Sequence, residues 1–276
     1  MTRGSKQEKA YGRTFSRGTL SIYYEVTGNG PRVLFFNGSG LTLESSAFLI
    51  ASLARTCCVA AHDQRGLGKS GVPEGPYSMS DYAADGAALL DDLGWSTCAV
   101  AGFSFGGMVA QEFAVTFPER VRRLVLMCTS AGGVLGSSYP LHELALLPIG
   151  ERLRKMPLLT DSRFSEEWLA DHPTDAALVA EAARRMTAER TANQLMGEKL
   201  QLEARRYHDV SDRLQRIPCP TLVAAGRYDR LAPVANSEAI ASHIEDAQLR
   251  VYEGGHLFFA QDSNALKDIE TFLHGV

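Results

Sequence analysis

Several features that would place a chain in a special class are missing here. No run of eighteen or more apolar residues occurs; the most apolar windows, 57–61 and 124–128, are only strand-sized, so no membrane span is expected. There is no excess of positive charge. With 28 Lys and Arg against 32 Asp and Glu, the net charge of -4 offers no field to a phosphate backbone, and nucleic acid is not an expected partner. Cysteine is scarce and odd in number: Cys57, Cys58, Cys98, Cys128 and Cys219 lack C-x-x-C spacing, and four of them sit in or beside apolar strand-like runs. They read as buried small side chains in a reducing cytoplasm. The first ten residues carry charges but no apolar stretch, which argues against a secretory signal. No H-E-x-x-H, ligand cluster or phosphate-binding P-loop is found, so neither a metal nor a nucleotide cofactor is expected.

What is present is an ordinary globular composition, 276 residues with 45% hydrophobic and 22% charged, long enough to bury one sizeable core with or without an inserted lobe. Short apolar runs at 20–26, 32–36, 57–61, 97–101 and 124–128 alternate with helical patterns. A helix is expected over 80–93, begun by Ser80 and ended by Gly94, and another over 105–117, stopped by Pro118. Continuous apolar strands separated by helices predict an α/β fold with a mostly parallel sheet covered on both faces. Residues 134–217 lose the apolar runs and become rich in Leu, Ala, Arg and Glu, the texture of a wholly helical insertion. The alternation resumes with a strand at 220–225, a helix near 233–243, a strand at 249–252 and a closing helix near 261–274. The expected organisation is a core of 1–133 and 218–276 with a helical cap of 134–217, folding as one unit.

The most informative segment is Gly102-Phe-Ser-Phe-Gly106, between an expected strand and an expected helix. In that context G-x-S-x-G forces the serine onto a sharp turn, because the glycines remove Cβ clashes and let the helix pack closely. Ser104 is thereby displayed at the carboxyl edge of the sheet, with helix N-terminal amides beside it. A serine hydroxyl needs a base, and the base a carboxylate to fix its tautomer. Where such an elbow works as a nucleophile, acid and base follow it in the chain, each after a strand. Of seven histidines, His62 precedes the serine, His142, His172 and His208 fall in the insertion, His243 ends a helix and His274 is near the terminus. His256 follows a strand through Glu253-Gly-Gly255 and can return over the sheet edge. Asp229, in the loop after 220–225, is the matching acid.

Taken together these segments resemble the α/β-hydrolase-fold enzymes of the cofactor-independent, lid-bearing group that includes 3-oxoadipate enol-lactonases, carboxylesterases, C–C bond hydrolases and non-haem haloperoxidases. Gly102 to Gly107 is similar to that group's elbow, Gly226-x-x-Asp229-x-x-x-Pro233 to its acid loop, and Gly255-His256 to its base loop. Asp63-Gln-Arg-Gly-Leu-Gly-Lys-Ser70 is similar to a turn that is structural in these proteins. The resemblance implies an oxyanion hole made by the backbone N–H of Ser39, in the loop Asn37-Gly-Ser-Gly40, and that of Phe105. Asn37 stands where the group commonly has histidine. The implied activity is hydrolysis of an ester, lactone or similarly activated carbonyl of a small molecule through an acyl-enzyme on Ser104. C–C bond hydrolysis or perhydrolysis with the same three residues is the alternative, and a ligand receptor on a hydrolase scaffold is the alternative of another class. Phe35, Phe36, Phe48, Phe103 and Phe113 read as core, with Phe105 set apart as a possible exception. Asp91, Asp92 and the basic run 120–123 read as solvated faces, and Arg184, Arg185, Arg190, Arg205 and Arg206 as exposed helix surface before any site role.

Overall fold

The computed structural model describes residues 12–275; the charged start of the chain, on which the reading of no secretory signal rests, lies outside them. The strands are β1 (Arg13–Arg17), β2 (Leu20–Thr27), β3 (Arg32–Phe36), β4 (Cys58–His62), β5 (Cys98–Phe103), β6 (Val121–Met127), β7 (Thr221–Gly226) and β8 (Ala247–Tyr252). They form one sheet in the order β1-β2-β4-β3-β5-β6-β7-β8. β1 and β2 run antiparallel to their neighbours, and β4 through β8 pair in parallel. Every residue of β5 and β7 is buried, as strands covered on both faces require.

The helices are α1 (Ala47–Leu53), α2 (Met79–Asp92), α3 (Phe105–Thr116), α4 (Leu141–Leu144), α5 (Ile149–Thr160), α6 (Glu166–Asp171), α7 (Pro173–Thr187), α8 (Ala192–Arg206), α9 (Val234–His243), α10 (Phe258–Gln261) and α11 (Ser263–His274). One face of the sheet is buried under α2, α3 and α9, the other under α1, α10 and α11, giving two hydrophobic clusters separated by the strands. Among the described residues no helix is long and apolar enough to cross a membrane.

Several expectations need correction. α2 begins at Met79 and its cap lies two residues before the expected one: Ser78 is the cap, its backbone extended and its side chain exchanging hydrogen bonds with Asp81. Ser80 lacks an acidic residue three positions on and cannot form that reciprocal cap. β6 starts at Val121, so the basic run lies partly in a strand, with Arg122 exposed. β1 and α1 were not expected; β1 buries only Phe15, too little alternation to read. Phe48 is 60% exposed rather than core. The stretch 134–217 forms α4 to α8 with no named strand, yet it is not wholly helical. Pro148 and Pro173 mark new helix starts, loops intervene, and a bridge between Gly132 and Asp209 closes its root.

Candidate active site

β3 and β5 are neighbours in the sheet, yet the chain leaves them in opposite directions, β3 toward β4 and β5 toward β6. A crevice opens at the carboxyl ends of strands where the order reverses in this way. The loop Asn37-Gly-Ser-Gly40 leaves β3 there, and Ser104 leaves β5 beside it.

Ser104 stands alone between β5 and α3 with φ 54° and ψ -115°. Such a conformation costs a non-glycine residue about 1–3 kcal/mol and persists only where the surroundings impose it. Here they do. Ser104 N–H donates to Met127 O at 2.8 Å, and Ser104 O accepts from Gly107 N–H at 2.9 Å and Thr129 Oγ1 at 2.8 Å. A Cβ on Gly102 would strike Gly106 O, and one on Gly106 would strike Phe36 O, so the glycines are required by close backbone approach.

Asp229 is buried in the loop after β7, and each carboxylate oxygen has its partner. Oδ1 accepts from Leu231 N–H at 2.8 Å and Ala232 N–H at 2.9 Å, and Oδ2 accepts from His256 Nδ1 at 2.7 Å. Because a carboxylate only accepts, Nδ1 carries the proton and Nε2 is left as the acceptor of a neutral ring. The His256 ring tilts against Phe103 with centroids 5.0 Å apart. Ser104 and His256 line one cavity of about 380 Å³, but no hydrogen bond joins Ser104 Oγ to the ring.

The Asn37–Gly40 loop is fixed by its main chain. Gln64 Nε2 donates to Asn37 O at 2.8 Å, and Gly40 N–H, at φ 67°, donates to Gln201 Oε1 of α8 at 2.7 Å. Neither side-chain atom of fully buried Asn37 has a partner among the described residues. Ser39 lines the cavity, its Oγ buried and unpartnered. Neither Ser39 N–H nor Phe105 N–H donates to a protein acceptor among the described residues; Phe105 is the first residue of α3, where helix amides lack a carbonyl one turn behind. The Phe105 side chain is fully buried, edge-on to Tyr82 at 5.0 Å, so the exception set aside for it was misplaced. Phe103, at the end of β5, is the aromatic that faces the cavity.

Sequence reasoning missed the insert's part in this geometry. The last carbonyls of α5, which no helical amide can satisfy, accept from the loops after β7 and β8: Leu159 O from Arg230 N–H at 3.0 Å and Thr160 O from His256 N–H at 2.6 Å. Ser162 N–H donates to Tyr228 O at 2.9 Å. No side-chain signal announces a backbone carbonyl. The Asp63–Ser70 turn is structural, as the resemblance implied: Asp63 accepts from Leu43 N–H at 2.8 Å and Lys69 N–H at 2.9 Å, and Arg65 holds Asp85 at 2.7 and 2.8 Å. Arg185 and Arg190 border the cavity, with Arg190 paired to Glu198 at 2.6 Å, and Arg205 is buried, so these three are not plain exposed surface.

The cavity wall is mostly aliphatic, with Leu144, Leu153, Met156, Leu178 and Met186 from the insert. Cys128, Asp229 and His256 bring ligand-type atoms within 4.8 Å of one another. Two of those atoms are spent on each other, and burial beside Asp229 pushes the Cys128 thiol well above its usual range, so the trio suits a hydrogen-bonded pair better than a cation.

Known proteins are similar to this chain in sequence and in fold. The family described as alpha/beta hydrolase fold matches residues 31–263. A putative carbamate hydrolase RutD from Azorhizobium caulinodans is 32% identical over 248 residues, 88% of this chain and 91% of its own. A poly(3-hydroxyalkanoate) depolymerase from Ectopseudomonas oleovorans is 32% identical over 267 residues, 93% of this chain and 90% of its own. The crystal structure of the enol-lactonase from Burkholderia xenovorans LB400 superposes with a TM-score of 0.79 at 22% identity, over 95% of this chain and 99% of that one, which is a likeness of fold. With that span matched and the strained serine at the reversal point of the sheet, the chain belongs to the alpha/beta hydrolase fold family.

Proposed function

We propose that this protein is a serine hydrolase that cleaves an ester or lactone of a small organic molecule with an aliphatic acyl part. His256 Nε2 takes the proton of Ser104 Oγ as the oxygen attacks the carbonyl carbon, and Asp229 stabilises the imidazolium that forms. The backbone N–H groups of Ser39 and Phe105 receive the oxyanion. Collapse expels the alcohol with the proton from His256, and the same ring then activates water to free the acid from Ser104. Residues 134–217 act as the cap that roofs the acyl part.

The observation that carries this reading is the strained Ser104 at one cavity with a histidine whose tautomer is fixed by a buried carboxylate. The aliphatic lining supports an acyl chain over a strongly polar group, and the relative named as a poly(3-hydroxyalkanoate) depolymerase supports an ester of an aliphatic acid. Arg152, whose Nε is buried without a partner among the described residues, supplies a polar end for the substrate.

The test is turnover of p-nitrophenyl esters graded from acetyl to dodecanoyl, beside lactones and a vinylogous dienone. A preference for one range of chain length is expected, together with fluorophosphonate labelling of Ser104. Ser104→Ala should lower kcat by about 10⁴-fold or more. Stoichiometric binding without turnover would make the chain a receptor, and cleavage of the dienone alone would replace ester chemistry with C–C chemistry.

A further inference from the structure

A second cavity, of about 120 Å³, shares no lining residue with the first. Met108 of α3, Ser130, Ser138, His142, Arg205 and His208 bound it, and no carboxylate is among its lining residues. Its distinctive member is Arg205, at the end of α8. Only 7% exposed, Arg205 makes no side-chain hydrogen bond or ion pair among the described residues, and its Nε is fully enclosed without a partner. The acids around this cavity make no contact with Arg205: Glu112 holds Arg213 at 2.8 and 2.9 Å, Asp209 accepts from Ser211 Oγ at 2.6 Å, and Glu143 lies 3.8 Å from His142 Nε2. Burial lowers the Arg205 guanidinium to about 10, with no carboxylate raising it again, and it still carries its charge at neutral pH. A charge taken out of water with no counter-charge is costly, and proteins that keep one normally pair it.

We infer that this second cavity is a binding site for a small oxyanion, a carboxylate or phosphate-type group, gripped by Arg205. The planar guanidinium presents parallel N–H groups that match two oxygens of one anion. Ser138 Oγ, 2.9 Å from Ser130 Oγ, is a hydroxyl able to turn to a third oxygen, and His142 Nδ1 is buried and unpartnered. His208 is a wall rather than a charge: its Nε2 donates to Ser130 O at 3.2 Å, and burial lowers the ring to about 4. Arg206, half exposed at the rim and 3.9 Å from Glu203, adds positive field at the mouth.

Thermal unfolding and titration calorimetry of the full chain with inorganic phosphate and with acetate, against chloride at matched ionic strength, test the site. One of the two anions should raise Tm saturably at millimolar concentration; a stronger response to phosphate or to acetate tells which kind of oxyanion fits. Arg205→Met should abolish that response and, without anion, be at least as stable as the parent, because it removes an unpaired buried charge. Arg184→Met, at an exposed arginine outside this cavity, should keep the response. Arg205→Lys, which retains the charge and loses the fork, should weaken binding about tenfold. No saturable response to either anion in the parent, or an equal response in Arg205→Met or Arg205→Lys, would overturn the assignment.

Discussion

At residue 104 the chain accepts backbone strain, and at residue 256 it accepts burial of an imidazole; each is held by a different device. The serine is fixed by glycines on both sides and by a main-chain hydrogen bond to Met127 of β6, the imidazole by one carboxylate. Asp229→Asn keeps an acceptor for Leu231 and Ala232 but turns an amide N–H toward Nδ1, forcing the ring into the tautomer that cannot accept from serine. A fall in kcat of about 10³–10⁴-fold is expected with little change in Tm, measured by ester turnover and calorimetry. Ser104, Asp229 and His256 were legible because each lies in a glycine- or proline-marked turn after an apolar run. Phe105 was set apart wrongly because composition does not say which of two aromatics beside a turn borders the cavity; Phe103, read as core, is buried and borders it as well. Arg205 was illegible for a related reason: helical spacing treats every arginine of α8 alike, and only packing shows which is enclosed.

The elements of the insert do more than cover. α5 ends on the loops that carry Asp229 and His256, and α8 holds the Asn37–Gly40 loop through Gln201, which is fully buried. Gln201→Leu fills similar space but leaves Gly40 N–H without its acceptor. We expect kcat to fall about 10- to 100-fold with KM nearly unchanged, read from steady-state kinetics, since loop position matters in the transition state. α8 also seats on the Asp63–Ser70 turn where Gly197 meets Gly66 so closely that a Cβ on Gly197 would overlap Gly66 O. Alanine is the better helix former by about 1 kcal/mol, yet Gly197→Ala should destabilise the protein by about 1–3 kcal/mol in urea unfolding. Loss of apolar runs was enough to show that this stretch holds helices and no named strand, though not its intervening loops. It did not disclose the docking, which rests on backbone carbonyls and on the absence of a side chain.

Across the whole molecule the sheet sets the address of the site, and alternation of apolar runs was enough to read a parallel sheet but not the antiparallel edge, where β1 is short and mostly exposed. Two buried histidines set its response to acid. Burial lowers His62 and His208 from 6.5 to about 4 each, so both are neutral in the folded protein. The unfolded chain takes up these protons near pH 6.5. Stability is therefore fully present above that pH and is lost as pH falls toward about 4, by on the order of 3 kcal/mol per ring. Urea unfolding across that window should show the slope, and His62→Leu should remove about half of it.

α5 and α8 hold the same loops that they roof. A wide swing of the insert would pull apart the loops that carry Asp229 and His256 at the same moment, so passage in and out has to thread a gap smaller than the insert itself. Slender, bendable leaving groups should escape faster than broad rigid ones, and turnover should track the girth of the departing alcohol more closely than its acidity.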